Sequence, residues 1–126
     1  MKLPKKVFSQ EEDDCGESCS GSIYFDEEKR FITVSGEITF QLADTFFNTL
    51  SDFEPKTPKE KPLPLSIYIN NCGGELSSAF KMCDHMRNSP CPITTIVAGL
   101  AFSGGLMLLA AGDRRLVFPH ATLGFH

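Results

Sequence analysis

The stretch "CPITTIVAGLAFSGGLMLLAAG", Cys91 to Gly112, carries no charge and contains one serine, set between a phenylalanine and two glycines. Its length would cross a bilayer. Its composition divides it in two: the first half is β-branched and holds Thr94 and Thr95, whereas the second opens on "SGG" and continues in leucines. No aromatic belt and no one-sided basic loop frames it. A buried strand, a tight turn and a helix explain the division, with Gly112 as the helix C-cap. The run therefore reads as a βα unit that presents Ser103 at its turn, and no membrane span is expected.

Outward from this unit the chain alternates in the same way. "LSIYIN" (65–70) is a compact strand broken by "NCGG". From Glu75, the residues Leu76, Ala79, Phe80, Cys83 and Met86 recur at helical spacing until "NSP" ends the helix near Asn88. Earlier, "SIYF" and "RFITVSGEI" read as two strands around a charged turn. "FQLADTFFNTLSDF" puts Leu42, Phe46, Leu50 and Phe53 on one helical stripe, widened by Ala43 and Phe47, with Thr39 as N-cap. "EPKTPKEKPLP" has four prolines in eleven residues and must be a surface loop. After Gly112, "RRLVFP" and "ATLGF" read as two short strands interrupted by Pro119. Strand, helix, strand, helix, strand is the order of an α/β domain with a parallel sheet.

The 126 residues, 41% hydrophobic, suffice for one domain with a core over residues 22–126. Residues 1–21 are polar and charged and read as a flexible acidic segment. The net charge of −4 sits at the start: residues 1–28 hold three lysines and eight acidic residues. The remaining body is close to neutral, which argues against nucleic acid as a partner. The basic opening "MKLPKKVF" leads into acidic residues rather than an apolar signal segment. Five cysteines at irregular spacing read as reduced thiols in a cytoplasmic protein, and "CGESC" lacks a second pair at metal-site spacing.

A serine hydroxyl becomes a nucleophile when a base takes its proton and N–H donors hold the oxyanion formed by its attack. Ser103 stands at a strand-to-helix transition, where the first helical N–H groups lack partners. Gly104 leaves its own N–H approachable. An N-cap serine with glycines for close packing is the competing explanation. "INNCGG" supplies a second bare backbone at a strand end, through Gly73 and Gly74. His126 could face the helix bearing Ser103 and act as base, with His120 as fallback. Cys72 precedes a helix start but has no histidine placed beside it by a motif. His85 reads as solvated on the polar side of its helix, and Phe80 and Met82 as core.

The ordered series "LSIYINNCGG", "GLAFSGG" and "ATLGFH", preceded by "RFITVSGEI", resembles the proteolytic subunit family of the ATP-dependent Clp serine protease over residues 22–126. Gly74 and Ser103 are 29 residues apart, the family's usual interval between oxyanion glycine and nucleophile. The resemblance implies Ser103 as nucleophile, His126 as base, and the N–H groups of Gly74 and Gly104 as oxyanion hole, with no cofactor and no metal. It implies an α/β fold, the Clp and crotonase-like spiral of ββα units, here truncated before the handle helix and last strands. It further implies unfolded polypeptides as substrates, an AAA+ unfoldase as partner, and heptameric rings in the cytoplasm.

The sequence departs from that pattern at several points. Cys72 stands where the family usually has proline, Gly104 where it commonly has methionine, and the Ser103–His126 interval is slightly short. The family's catalytic aspartate lies beyond the histidine, so none is carried over; Asp84 and Asp113 have no motif support. A histidine without its carboxylate loses roughly 10⁴ in rate in the template triad enzyme. A silent ring subunit and a crotonase-type acyl-CoA enzyme are the alternative functions. A serine–lysine peptidase would need Lys81 as base.

Overall fold

Strand β4 (Leu65–Gly74) shows how the layers are arranged, because its burial alternates along the chain. Leu65, Ile67, Ile69 and Asn71 are buried, whereas Ser66, Tyr68 and Asn70 are not. One face of the sheet is thus covered by helices and the other is more open. The computed structural model describes residues 5–9 and 20–125. Strands β1 (Lys5–Ser9), β2 (Ser22–Asp26) and β3 (Phe31–Ile38) pair in antiparallel fashion. From β3 onward every neighbour is parallel: β4, then β5 (Ile93–Phe102). Two short strands share one edge of β5. β6 (Arg114–Val117) pairs with its first half and β7 (Thr122–Gly124) with its last three residues.

The helices are the crossovers that parallel pairing requires. α1 (Phe40–Phe53) opens where Thr39, in extended backbone, accepts the Leu42 N–H on its hydroxyl at 3.1 Å. It buries Leu42, Ala43, Phe46, Leu50 and Phe53. Phe46 is fully buried, and truncation to alanine would cost about 3–5 kcal/mol. Phe47, expected on this stripe, is exposed. The prolines of residues 54–64 stop the helix, and Arg30 pins the loop through the carbonyls of Phe53, Leu63 and Pro64.

α2 (Leu76–Asn88) is present as expected, but its buried stripe is Ser78, Ala79, Met82 and Met86. Leu76 and Phe80 stand about half exposed. The helix packs against α1, α3 and β4, and that packing, rather than apolar spacing, selects the buried face. The "NCGG" run does not break its strand, since β4 continues through Gly74.

α3 (Gly104–Ala110) ends on Ala111 as C-cap, not Gly112. Gly112 is small for another reason: a Cβ there would lie 2.4 Å from the buried Thr95 Oγ1, which bonds the Leu109 carbonyl at 2.8 Å. The strand β1 was not announced by the polarity of its segment. Cys15, Cys19 and His126 lie outside the described residues, and Cys83 and Cys91 are free thiols. Among the described residues no helix is long and apolar enough to cross a membrane.

Candidate active site

The site forms where β4 and β5 end side by side. Their register is even up to Ile69 opposite Val97, and the next partners are Asn71 and Ala101. β5 therefore carries extra residues at Ala98–Leu100 in a bulge. Gly99 takes φ +103° there, and Asn70 Oδ1 accepts the Leu100 N–H at 3.2 Å. A Cβ on Gly99 would lie 2.4 Å from that oxygen, so only glycine fits beneath the Asn70 amide. Such a bulge re-aims the strand that follows it, here the segment leading to Ser103.

Ser103 has φ 52° and ψ −114°, a backbone conformation that a residue with a side chain seldom adopts. Both of its backbone groups are held. Its N–H donates to the Gly124 carbonyl on β7 at 3.0 Å, and its carbonyl accepts from Leu106 and Met107 at 3.0 and 3.2 Å. Its hydroxyl does not cap α3. The N-cap explanation of this serine is therefore not realised: the backbone starts the helix, and the side chain is left out of it.

The two glycine turns touch at this point. A Cβ built on Gly73 (φ +91°) would lie 2.9 Å from Ser103 Cβ and 3.2 Å from the Gly104 nitrogen. Gly74 follows at φ +149°, pairs with Ile38 on β3, and has no room for a Cβ against the Ile38 carbonyl. Gly104 packs on Ile38 and Ala79, and as the first helical residue its N–H has no intrahelical partner. Beyond Gly74, the Glu75 carboxylate accepts the Ser78 N–H and the Ser77 hydroxyl, each at 2.7 Å. These bonds, the Ser77 one foremost, hold its pKa below the usual carboxylate value and fix the start of α2.

The remaining candidates lie apart or are otherwise engaged. His126 is outside the described residues; β7, which ends two positions before it, is the strand bonded to Ser103. His120 is exposed in the turn between β6 and β7. Asp113 accepts the Ile93 N–H at 2.8 Å, at the far end of β5 from Ser103. Asp84 is exposed on α2. Lys81 pairs with Asp44 across α1 and α2 and lies over Phe47, which does not suit a serine–lysine site. The Cys72 thiol faces the Gly36 carbonyl at 3.3 Å. Cys83 is half-buried, and loss of water pushes its pKa up to about 11, so it is a protonated thiol at neutral pH. Among the described residues no group of three or more His, Cys, Asp or Glu could hold a metal ion.

His85 is a correction to the sequence reading. Its side chain is 11% exposed, its ring lies 4.1 Å from that of Phe47, and Nε2 is 3.5 Å from Glu54 Oε2. Burial lowers its pKa, with Glu54 opposing that shift and Lys81 adding to it. Sequence reasoning also passed over Asn70 and Asn71. The available signal was the position of two asparagines at a strand end, where successive side chains serve opposite faces.

Fold and site together define an α/β protein whose central parallel strand ends in a strained serine turn beside a glycine pair. The sequence pattern of the Clp protease family matches residues 17–126, and the chain belongs to that family. It is 31% identical over 99 residues to the ATP-dependent Clp protease proteolytic subunit of Leuconostoc citreum (strain KM20). That alignment covers 77% of this chain and 48% of the relative, so the chain spans about half the length of the curated relative it matches. The mixed α/β architecture is the one expected for this family.

Proposed function

We propose that this chain carries the nucleophilic half of a serine endopeptidase site. Ser103 Oγ attacks the peptide carbonyl while His126 takes its proton. The amides of Gly74 and Gly104 hold the oxyanion. His126 then returns the proton to the leaving amine as the C–N bond breaks, and a water activated by the same histidine hydrolyses the acyl-enzyme. The observation that carries this reading is the positive φ of Ser103 combined with a hydroxyl withheld from the helix it begins. Strain of this kind costs about 1–3 kcal/mol and is retained where function uses it.

Two further features support the residue roles. The Gly73 N–H is already engaged by Asn71 Oδ1 at 2.8 Å, which favours Gly74 as the donor of the pair. The bond between Ser103 N–H and the Gly124 carbonyl ties β7 to the nucleophile. By family membership, the substrates are unfolded polypeptides delivered by an AAA+ unfoldase to rings of seven subunits in the cytoplasm.

The test is covalent labelling of the chain with a fluorophosphonate, followed by peptide mapping. An adduct on Ser103 that is absent in Ser103→Ala and strongly slowed in His126→Ala is expected. No adduct on Ser103 would overturn the peptidase reading and favour a structural ring subunit.

A further inference from the structure

The residue pair Asn70–Asn71 sits between the nucleophile strand and the glycine turn, and its two side chains serve different elements. Asn70 braces the bulge in β5, as described. Asn71 points to the helix-covered face and is fully buried. Its Oδ1 accepts the Gly73 N–H at 2.8 Å. On its other side it packs against the second glycine of α3: a Cβ on Gly105 would lie 2.7 Å from the Asn71 carbonyl oxygen and 3.2 Å from its Oδ1. One side chain therefore fills the space between the turn that carries Gly74 and the helix that begins with Gly104.

The other half of this amide has no protein partner among the described residues, since Asn71 Nδ2 is buried and makes no hydrogen bond there. A buried donor left unpaired is unfavourable, and core packing alone would favour an apolar residue here. What an apolar residue lacks is the acceptor for Gly73. From this we infer that Asn71 is a positioning residue that sets the distance and orientation of the Gly74 N–H relative to Ser103 and the Gly104 N–H. The inference rests on the serine peptidase reading above. Asn71 acts through Gly73 and touches no substrate, because it is closed off from solvent. Displacement of an oxyanion donor by about 1 Å is enough to lower reactivity about a hundredfold.

The experiment compares Asn71→Leu and Asn71→Asp with the unaltered chain, using fluorophosphonate labelling at several reagent concentrations. Asn71→Leu keeps the approximate size and removes the acceptor; Asn71→Asp keeps a carboxyl oxygen for Gly73. The expected result for Asn71→Leu is a maximal labelling rate lowered about 10- to 100-fold, with the half-saturating reagent concentration little changed. Asn71→Asp is expected to recover most of that rate. Amide hydrogen exchange at Gly73 should accelerate in Asn71→Leu while exchange in the middle of β4 stays slow. Asn71→Ala replaces Asn71→Leu if the latter does not fold.

Labelling of the unaltered chain that Asn71→Leu does not slow would overturn the positioning role and leave the peptidase reading standing. Equal loss in Asn71→Leu and Asn71→Asp, or unchanged exchange at Gly73, would also overturn it. Absence of labelling in the unaltered chain would overturn both readings together.

Discussion

Two helices in this molecule begin just after a hydroxyl residue, and they use it in opposite ways. At α1, Thr39 has ordinary extended backbone and its hydroxyl accepts the Leu42 N–H, so the side chain serves the fold. At α3, Ser103 sits at φ 52°, its hydroxyl caps nothing, and its place is held by backbone bonds to β7 and to the next helical turn. The first helix start is comfortable and self-sufficient. The second is strained and depends on glycines at 73, 104 and 105, the bulge braced by Asn70, and a carbonyl from another strand. The contrast separates a side chain that stabilises from one that is merely held in place, ready to be used.

The largest effect is expected where the strained start meets its support. Gly73→Ala would place a Cβ 2.9 Å from both the Phe102 carbonyl oxygen and Ser103 Cβ, at a φ that disfavours alanine. Denaturant titration should show a loss of about 3 kcal/mol. Labelling of Ser103 should nearly disappear. If Gly73→Ala folds and labels normally, the close approach of the two turns is not required.

A smaller effect is expected at the comfortable start. Thr39→Ala should cost about 1 kcal/mol through the lost cap and leave the rate of Ser103 labelling unchanged. A changed labelling rate would show that the two helix starts are coupled, contrary to the comparison.

The smallest effect concerns the α1–α2 seam, where His85 is held neutral by burial. A histidine with a lowered folded-state pKa contributes stability above its unfolded value, near 6.5, and that contribution is lost as pH falls. Thermal midpoints should therefore decline modestly from about pH 6.5 to 5, and His85→Phe should flatten that decline. An identical pH profile in His85→Phe would place the titration elsewhere.

The contrast between helix starts also shows what the sequence could reveal. α1 was legible because a local cap and a strong apolar stripe agree, and its tertiary neighbours do not alter either. "GLAFSGG" was legible as a strand, turn and helix for the same reason. The buried face of α2 was not, because packing against α1, α3 and β4 selects it and leaves Leu76 and Phe80 half exposed. His85 looked solvated because the helix alone does not reveal Phe47 and Glu54 of α1 beside it. Asn70 and Asn71 were hidden by their glycine neighbours. Leu100, the partner of Asn70, becomes visible only once the β5 bulge and the strand register are known. Local physics thus located the serine, and the parts that hold it come from pairing between strands.

The central claim is that Ser103 is kept against the interests of the fold. Equilibrium unfolding of Ser103→Gly tests it most directly, because glycine accepts positive φ without a side-chain penalty and the hydroxyl makes no cap to lose. The expected result is a variant more stable than the unaltered chain by about 1 kcal/mol and inert to fluorophosphonate. A Ser103→Gly variant that loses about as much stability as Thr39→Ala would contradict the claim, because the serine would then be serving the helix.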